Sequence, residues 1–285
     1  MRFVSFFLLI LLCFLGLEVA QAARLKWYVL VVAATEDTNP NTRAGIGESY
    51  AMATQNVRHI ATLLDYDLEV FPIVGKDLSK QKVSDTYLHI CRKAAALKGK
   101  QKTMFHFISI THGLNFEDSK TQLPYLVCFS QNRVMQKTDL LSLEGLVYDA
   151  YIGQRFDVLH FWVEACNNQA AGHQKAPAPL FLLSRNPKSE KEKLHQLLVS
   201  QPLVVLIAAQ YSEFAVVDTQ QGGAFACALW KNLSLLSQSD TLAPEWEQFY
   251  PLLRQDCNRF AQKIAGVSQT PRLFLSQDFK NYFEK

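Results

Sequence analysis

The sequence is short of several features that would point to a function at sight. Cysteine occurs only six times in 285 residues. The positions are 13, 91, 128, 166, 227 and 257, with no Cys-x-x-Cys pair and no Cys/His spacing that closes a zinc site, so no metal is expected. Charge of one sign is also scarce. The formal net charge is +3, and no dense Lys/Arg stripe with interleaved aromatics occurs, which argues against a nucleic-acid partner. The longest apolar run, Phe3 to Leu15, falls short of the roughly 20 residues that span a bilayer comfortably. No internal repeat and no low-complexity tract is present, which sets aside solenoids and fibrous chains.

What is there suits a large globular domain. Hydrophobic residues make up 49% of the chain, enough for a sizeable core, and the length fits one large α/β domain or two small ones. Met1-Arg2, the Phe3–Leu15 run and Ala20-Gln21-Ala22 together read as a secretory signal peptide cut after Ala22. The mature protein, residues 23–285, is then secreted or periplasmic, with no stable membrane span once the leader is gone. Losing Cys13 with the leader leaves five cysteines, so at least one thiol is unpaired. Cys166 is the candidate. Cys91 and Cys227 lie in apolar, helix-like stretches and read as small core residues.

Strands and helical segments alternate along the chain. Trp27–Ala34 is an apolar run rich in β-formers and predicts a buried strand, followed by a polar loop over Thr35–Gly47. Ser49–Leu64 has helical spacing, Leu68–Val74 reads as a short strand, and Gln81–Leu97 as an amphipathic helix. A third strand starts at Met104 and ends at His112, with a loop from Gly113 to Gln122. Leu123–Phe129 suggests a small strand or hairpin. Thr138–Tyr151 reads as a helix capped by Thr138 or Asp139. The strand Asp157–Val163 leads into Cys166, with a loop from Glu164 onward. Lys175–Lys193 is the best candidate for an exposed linker between a large and a small half. Leu203–Ala209 is a further strand, Gln210–Gly223 a loop, Ala224–Leu235 and Pro244–Ile264 helices, and Arg272–Leu275 a last strand. This alternation predicts an α/β fold with right-handed crossover units and a mostly parallel sheet.

Two of these strands end in chemistry. Ligand crevices of open parallel sheets lie at the C-terminal ends of the strands. There Met104-Phe-His-Phe-Ile-Ser-Ile-Thr delivers His112-Gly113, and Asp157-Val-Leu-His-Phe-Trp-Val delivers Glu164-Ala-Cys166. A thiol attacks a carbonyl as thiolate, and a neighbouring imidazole supplies that state at neutral pH. Backbone N–H groups of Gly113 and Cys166 are the natural donors to a developing oxyanion. His173 follows Cys166 closely but sits in a Gly/Pro loop, making it a weaker base candidate. His160, inside a strand, reads as a core histidine.

These blocks together resemble the caspase-type cysteine peptidases, a clan that includes metacaspases, legumains and the bacterial-type caspase-domain homologues. The resemblance rests on Thr111-His112-Gly113, on Glu164-Ala-Cys166, and on Gly222-Gly223-Ala-Phe225-Ala-Cys-Ala-Leu229. Gln269-Thr-Pro271 before the last strand adds to it. It spans about Trp27 to Leu275 and implies a caspase–haemoglobinase fold, a three-layer sandwich with a central, mostly parallel sheet of about six strands between helices, and endopeptidase activity, with no cofactor. His112 and Cys166 would be the dyad and Gly113 part of the oxyanion hole. One departure is Asn167-Asn168-Gln169, where the family often has Arg-Gly, His-Ser-Gly or Glu-Ser-Gly.

The resemblance also implies pocket residues. The position of Glu164 is Gln in caspases, Asp in metacaspases and Glu in legumains, and lines the primary specificity pocket. A carboxylate there favours Arg or Lys before the cut bond. Arg43 lies where caspases and legumains carry a pocket arginine; if both charges face the pocket, Asn is preferred, as in legumains. Asp218, or Glu213, would add a carboxylate from a pocket wall. Solvated loop charges are the plain alternative for Arg43 and Asp218, and a structural hydrogen bond is the alternative for Glu164. The expected partner is a peptide or protein substrate, with homodimerisation or self-processing within the 175–193 segment also open. A catalytically silent binding domain and a legumain-like transpeptidase are the competing readings.

Overall fold

The structure, a computed structural model, describes residues 24–115, 122–128, 136–166, 187–210 and 213–283. The expected leader and His173 therefore lie outside the described residues. So does the 175–186 part of the expected linker.

Six strands form the main sheet: β1 (Lys26–Ala33), β2 (Asp67–Val74), β3 (Thr103–Leu114), β6 (Val158–Cys166), β7 (Leu203–Ile207) and β10 (Arg272–Leu275). Their order is β10-β7-β6-β3-β1-β2. All neighbours run parallel except β10, which pairs antiparallel with β7. Two short strands, β4 (Tyr125–Val127) and β5 (Leu140–Ser142), extend from the end of β3. A separate two-residue hairpin pairs β8 (Val217–Asp218) with β9 (Gly222–Gly223). The helices are α1 (Pro40–Leu64), α2 (Lys80–Leu97), α3 (Leu143–Ile152), α4 (Pro187–Val199), α5 (Ala224–Gln238), α6 (Trp246–Ala265) and α7 (Ser276–Phe283). This is the expected α/β sandwich around a mostly parallel sheet.

The sequence reason for the sheet's place is plain. Trp27–Ala33 is buried at every position, as are Thr103–Thr111 and Leu203–Ile207. Continuous apolar runs, not alternating ones, are what a sheet covered on both faces requires. Trp27, Phe105, Phe107, Phe161 and Trp162 fill the layers against it. At about 1.5–3 kcal/mol per fully buried large side chain, these rings are a major part of what holds the strands in register.

Three helix starts depart from expectation. Helix α1 starts at Pro40, inside the expected Thr35–Gly47 loop. Asn39-Pro40 is a helix start: the Asn39 side chain accepts from the N–H of Asn41 and Thr42 at 2.9 and 3.3 Å, and proline suits the first helical position. Gly45 is needed there, since a Cβ would meet the Asp218 carbonyl oxygen at 2.8 Å. Near residue 138, the expected helix begins only at Leu143, capped by Ser142, whose Oγ accepts from the Gly145 N–H at 3.0 Å. Leu140 and Leu141 are instead drawn into β5 opposite Val127 and Leu126, so cross-strand pairing outweighs local helical preference. Finally, Pro187–Lys193 of the expected linker is already helical, with Glu190 buried and accepting from Ser237 Oγ at 3.2 Å.

Candidate active site

Strand β6 does not stop at Val163. It continues through Glu164, Ala165 and Cys166, because β3 also runs on, and the two pair residue by residue until His112 lies opposite Cys166. Adjacent strands lie only about 4.8 Å apart. The two chemistry-bearing residues, 54 positions apart in the chain, thus meet at one rim of the sheet. Gly113 also belongs to the strand; it is buried and pairs opposite Leu126 of β4, so its position is set by a ladder and not by a loose loop.

A third group joins them that the sequence alone did not single out. Asp37 follows β1, and its carboxylate contacts His112 Nε2. It is 1% exposed, against 20% for the His112 side chain. Its other oxygen accepts from the Asn39 N–H at 2.7 Å, so the start of α1 holds the carboxylate in place. The Ala34 N–H donates to the Ile110 carbonyl at 3.0 Å, carrying the β1–β3 pairing past the end of β1 and bringing Asp37 to the histidine. The available signal was a carboxylate just past a strand end. It could not be used without knowing that β1 and β3 are neighbours.

Glu164 points into a closed environment. It is 4% exposed, and its Oε1 accepts from Ser49 Oγ of α1 at 3.3 Å. Ser49 Oγ in turn accepts from the Gly223 N–H at 2.7 Å. A Cβ at residue 223 would fall 1.2 Å from Glu164 Oε1, so glycine is required for the carboxyl to occupy this place. Burial pushes the Glu164 carboxyl up to about 7, against the opposing effect of the Ser49 hydrogen bond. Asp218 is likewise buried; its Oδ1 accepts from the Gln220 N–H at 2.8 Å. Burial first, then the charges of Glu164 and Asp218, push the Cys227 thiol up to about 12, which marks both carboxylates as close to the start of α5.

The other candidates divide. Arg43 is exposed on the first turns of α1, and the hydrogen-bond partner of Glu164 is Ser49, not Arg43. Glu213 accepts from the Thr270 Oγ1 at 3.0 Å and so ties its loop to the β10 approach. His160 is buried, its Nε2 bonded to the Leu198 carbonyl at 2.9 Å, and burial pushes it down to about 4, as suits a core histidine. Cys91 and Cys227 are buried. Among the described residues no group of three or more His, Cys, Asp or Glu could hold a metal ion.

The architecture has a solved counterpart. The chain is similar to caspase-1 from Spodoptera frugiperda, with a TM-score of 0.53 over 89% of this chain and 87% of that one, at 12% identity. The fold is caspase-like. No protein-family model matches the sequence, and no curated protein matches it. At this identity the likeness concerns the caspase-like fold alone.

Proposed function

We propose that this protein is an exported cysteine endopeptidase of the bacterial-type caspase-homologue kind. The observation that carries the reading is the register of His112 opposite Cys166 at the C-terminal rim of parallel strands. In this mechanism His112 takes the Cys166 proton, and the sulfur attacks the scissile carbonyl carbon. The Gly113 and Cys166 N–H groups stabilise the oxyanion. The tetrahedral intermediate collapses as the C–N bond breaks, and His112 gives its proton to the leaving amine. Water then hydrolyses the thioester and restores the thiol. Asp37, bonded to the Nε2 of the ring, orients the imidazole, stabilises its protonated form and leaves Nδ1 to take the thiol proton.

The preferred residue before the cut bond is Arg or Lys. Support comes from the two buried carboxylates, Glu164 and Asp218, near the start of α5, while Arg43 lies exposed. A zwitterionic pocket taking Asn would need Arg43 to turn inward. Export is supported by the leader-like pattern of Met1-Arg2, Phe3–Leu15 and Ala20-Gln21-Ala22.

The test is a thiol-reactive probe and a panel of fluorogenic peptides ending in Arg, Lys, Asn or Asp, applied to wild type, Cys166→Ala and His112→Ala. Labelling that depends on Cys166, and turnover of the basic peptides lost in both variants while both stay folded, is the expected result. Turnover surviving either substitution rules out the dyad. Turnover confined to the Asn peptide rules out the basic preference, and Cys166-dependent labelling without turnover of any peptide points to a silent domain.

A further inference from the structure

The end of the sheet away from His112 has its own chemistry, which peptide hydrolysis does not use. The nine steps of β3 from Thr103 to His112 separate the two ends by roughly 30 Å. Two clefts open there, of about 550 and 570 Å³, and both are lined by Lys102. The first lies between the segments entering β3 and β6, the second between the segments entering β1 and β2 and helix α4. Five exposed lysines line them: Lys98, Lys100, Lys102, Lys188 and Lys191. None has an ion-pair partner among the described residues.

The acids nearby are mostly spent. Asp65 pairs with Arg24 at 3.1 Å, and Asp149 with Arg155 at 3.2 Å. Asp157 accepts from the Thr103 N–H at 2.7 Å but keeps its charge, and it and Glu192 are the two lining carboxylates without an ion-pair partner among the described residues, against five lysines. The positive field is felt within the second cleft: His195 titrates below the ordinary histidine range, from burial first and then from Lys102 and Lys191. Beside the first cleft, α3 exposes Ile152 and Tyr148, one turn apart and each about half exposed.

Basic side chains around exposed aliphatic and aromatic groups are the composition of a surface that meets lipid headgroups. We propose that the edge of the domain opposite the His112 rim docks on an anionic phospholipid bilayer. So docked, the protein turns its His112–Cys166 rim away from the membrane, open to substrate.

The experiment is sedimentation of the full chain with neutral phosphatidylcholine vesicles and with vesicles holding about one-third phosphatidylglycerol. The leader, basic at Met1-Arg2, is common to every variant, so the loss of anionic preference on substitution reports the basic edge. Each lysine near an anionic surface is worth about a fivefold change in affinity. The expected result is a strong preference for the anionic vesicles that K98Q/K100Q/K102Q/K188Q/K191Q abolishes. The charge-matched control K76Q/K80Q/K82Q/K137Q/K263Q keeps it. Equal binding to both vesicles overturns the proposal, as does a control that loses as much as the test variant. Displacement from anionic vesicles by short single-stranded RNA at equal phosphate also overturns it, because the edge would then be a nucleic-acid surface. Vesicle binding is independent of Cys166, so its failure leaves the peptidase reading untouched.

Discussion

Glu164→Gln is expected to stabilise the protein above neutral pH and to leave it nearly unchanged in acid. The Glu164 carboxyl is buried beneath Ser49 and Gly223 and titrates near 7 instead of the ordinary 4.5. The folded state therefore binds a proton that the unfolded chain has already released between these two values. Stability falls as pH rises through that window, since the folded state there holds more protons than the unfolded one. Once Glu164 is fully ionised the cost is about 3 kcal/mol, at 1.36 kcal/mol for each pH unit between the two titrations. Glutamine has the same shape, never ionises, and its Oε1 can still accept from Ser49. The assay is urea unfolding of Cys166→Ala, with and without Glu164→Gln, at pH 4, 6 and 8, the first substitution removing self-cleavage. The two stability curves should coincide near pH 4 and separate by about 3 kcal/mol at pH 8. Curves that stay parallel across the range would show that the buried carboxyl is not charged at a cost, and the reasoning would fail.

Other outcomes follow from the same geometry. If Glu164 meets a basic substrate residue, kcat/KM for an Arg peptide should rise through pH 7 relative to that for an Asn peptide; a flat ratio removes Glu164 from the specificity pocket. Asp37→Asn should lower kcat by about 10²-fold or more, the scale of losing an oriented general base, while KM changes little; unaltered kcat would reduce Asp37 to packing. Gly223→Ala should cost about 1–3 kcal/mol in urea unfolding, because its methyl group must displace a buried carboxyl. Asn39→Ala should cost about 1 kcal/mol from the lost cap of α1, readable as a lower urea midpoint with an unaltered slope.

Much of the architecture was legible because a covered parallel strand is written as an unbroken apolar run. Trp27–Ala34, Met104–Thr111 and Leu203–Ala209 all declared themselves that way. The errors fell where pairing partners decide. Glu164–Cys166 looks like a loop until β3 is seen to continue beside it, and Leu140–Leu141 looks helical until β4 takes it. Asn39-Pro40 reads equally as a turn or as a cap, and only the two N–H groups received by Asn39 distinguish them.

The order of residues by itself determined that a thiol and an imidazole each close a buried strand, since local hydrophobicity marks strand ends without any knowledge of neighbours. It could not determine strand order, and strand order is what sets His112 opposite Cys166. The same holds for Asp37 against the ring, for Ser49 and Gly223 around Glu164, and for five lysines from two distant segments along the far edge. Those placements depend on which elements pack together, a property of the whole core that no single stretch of chain encodes.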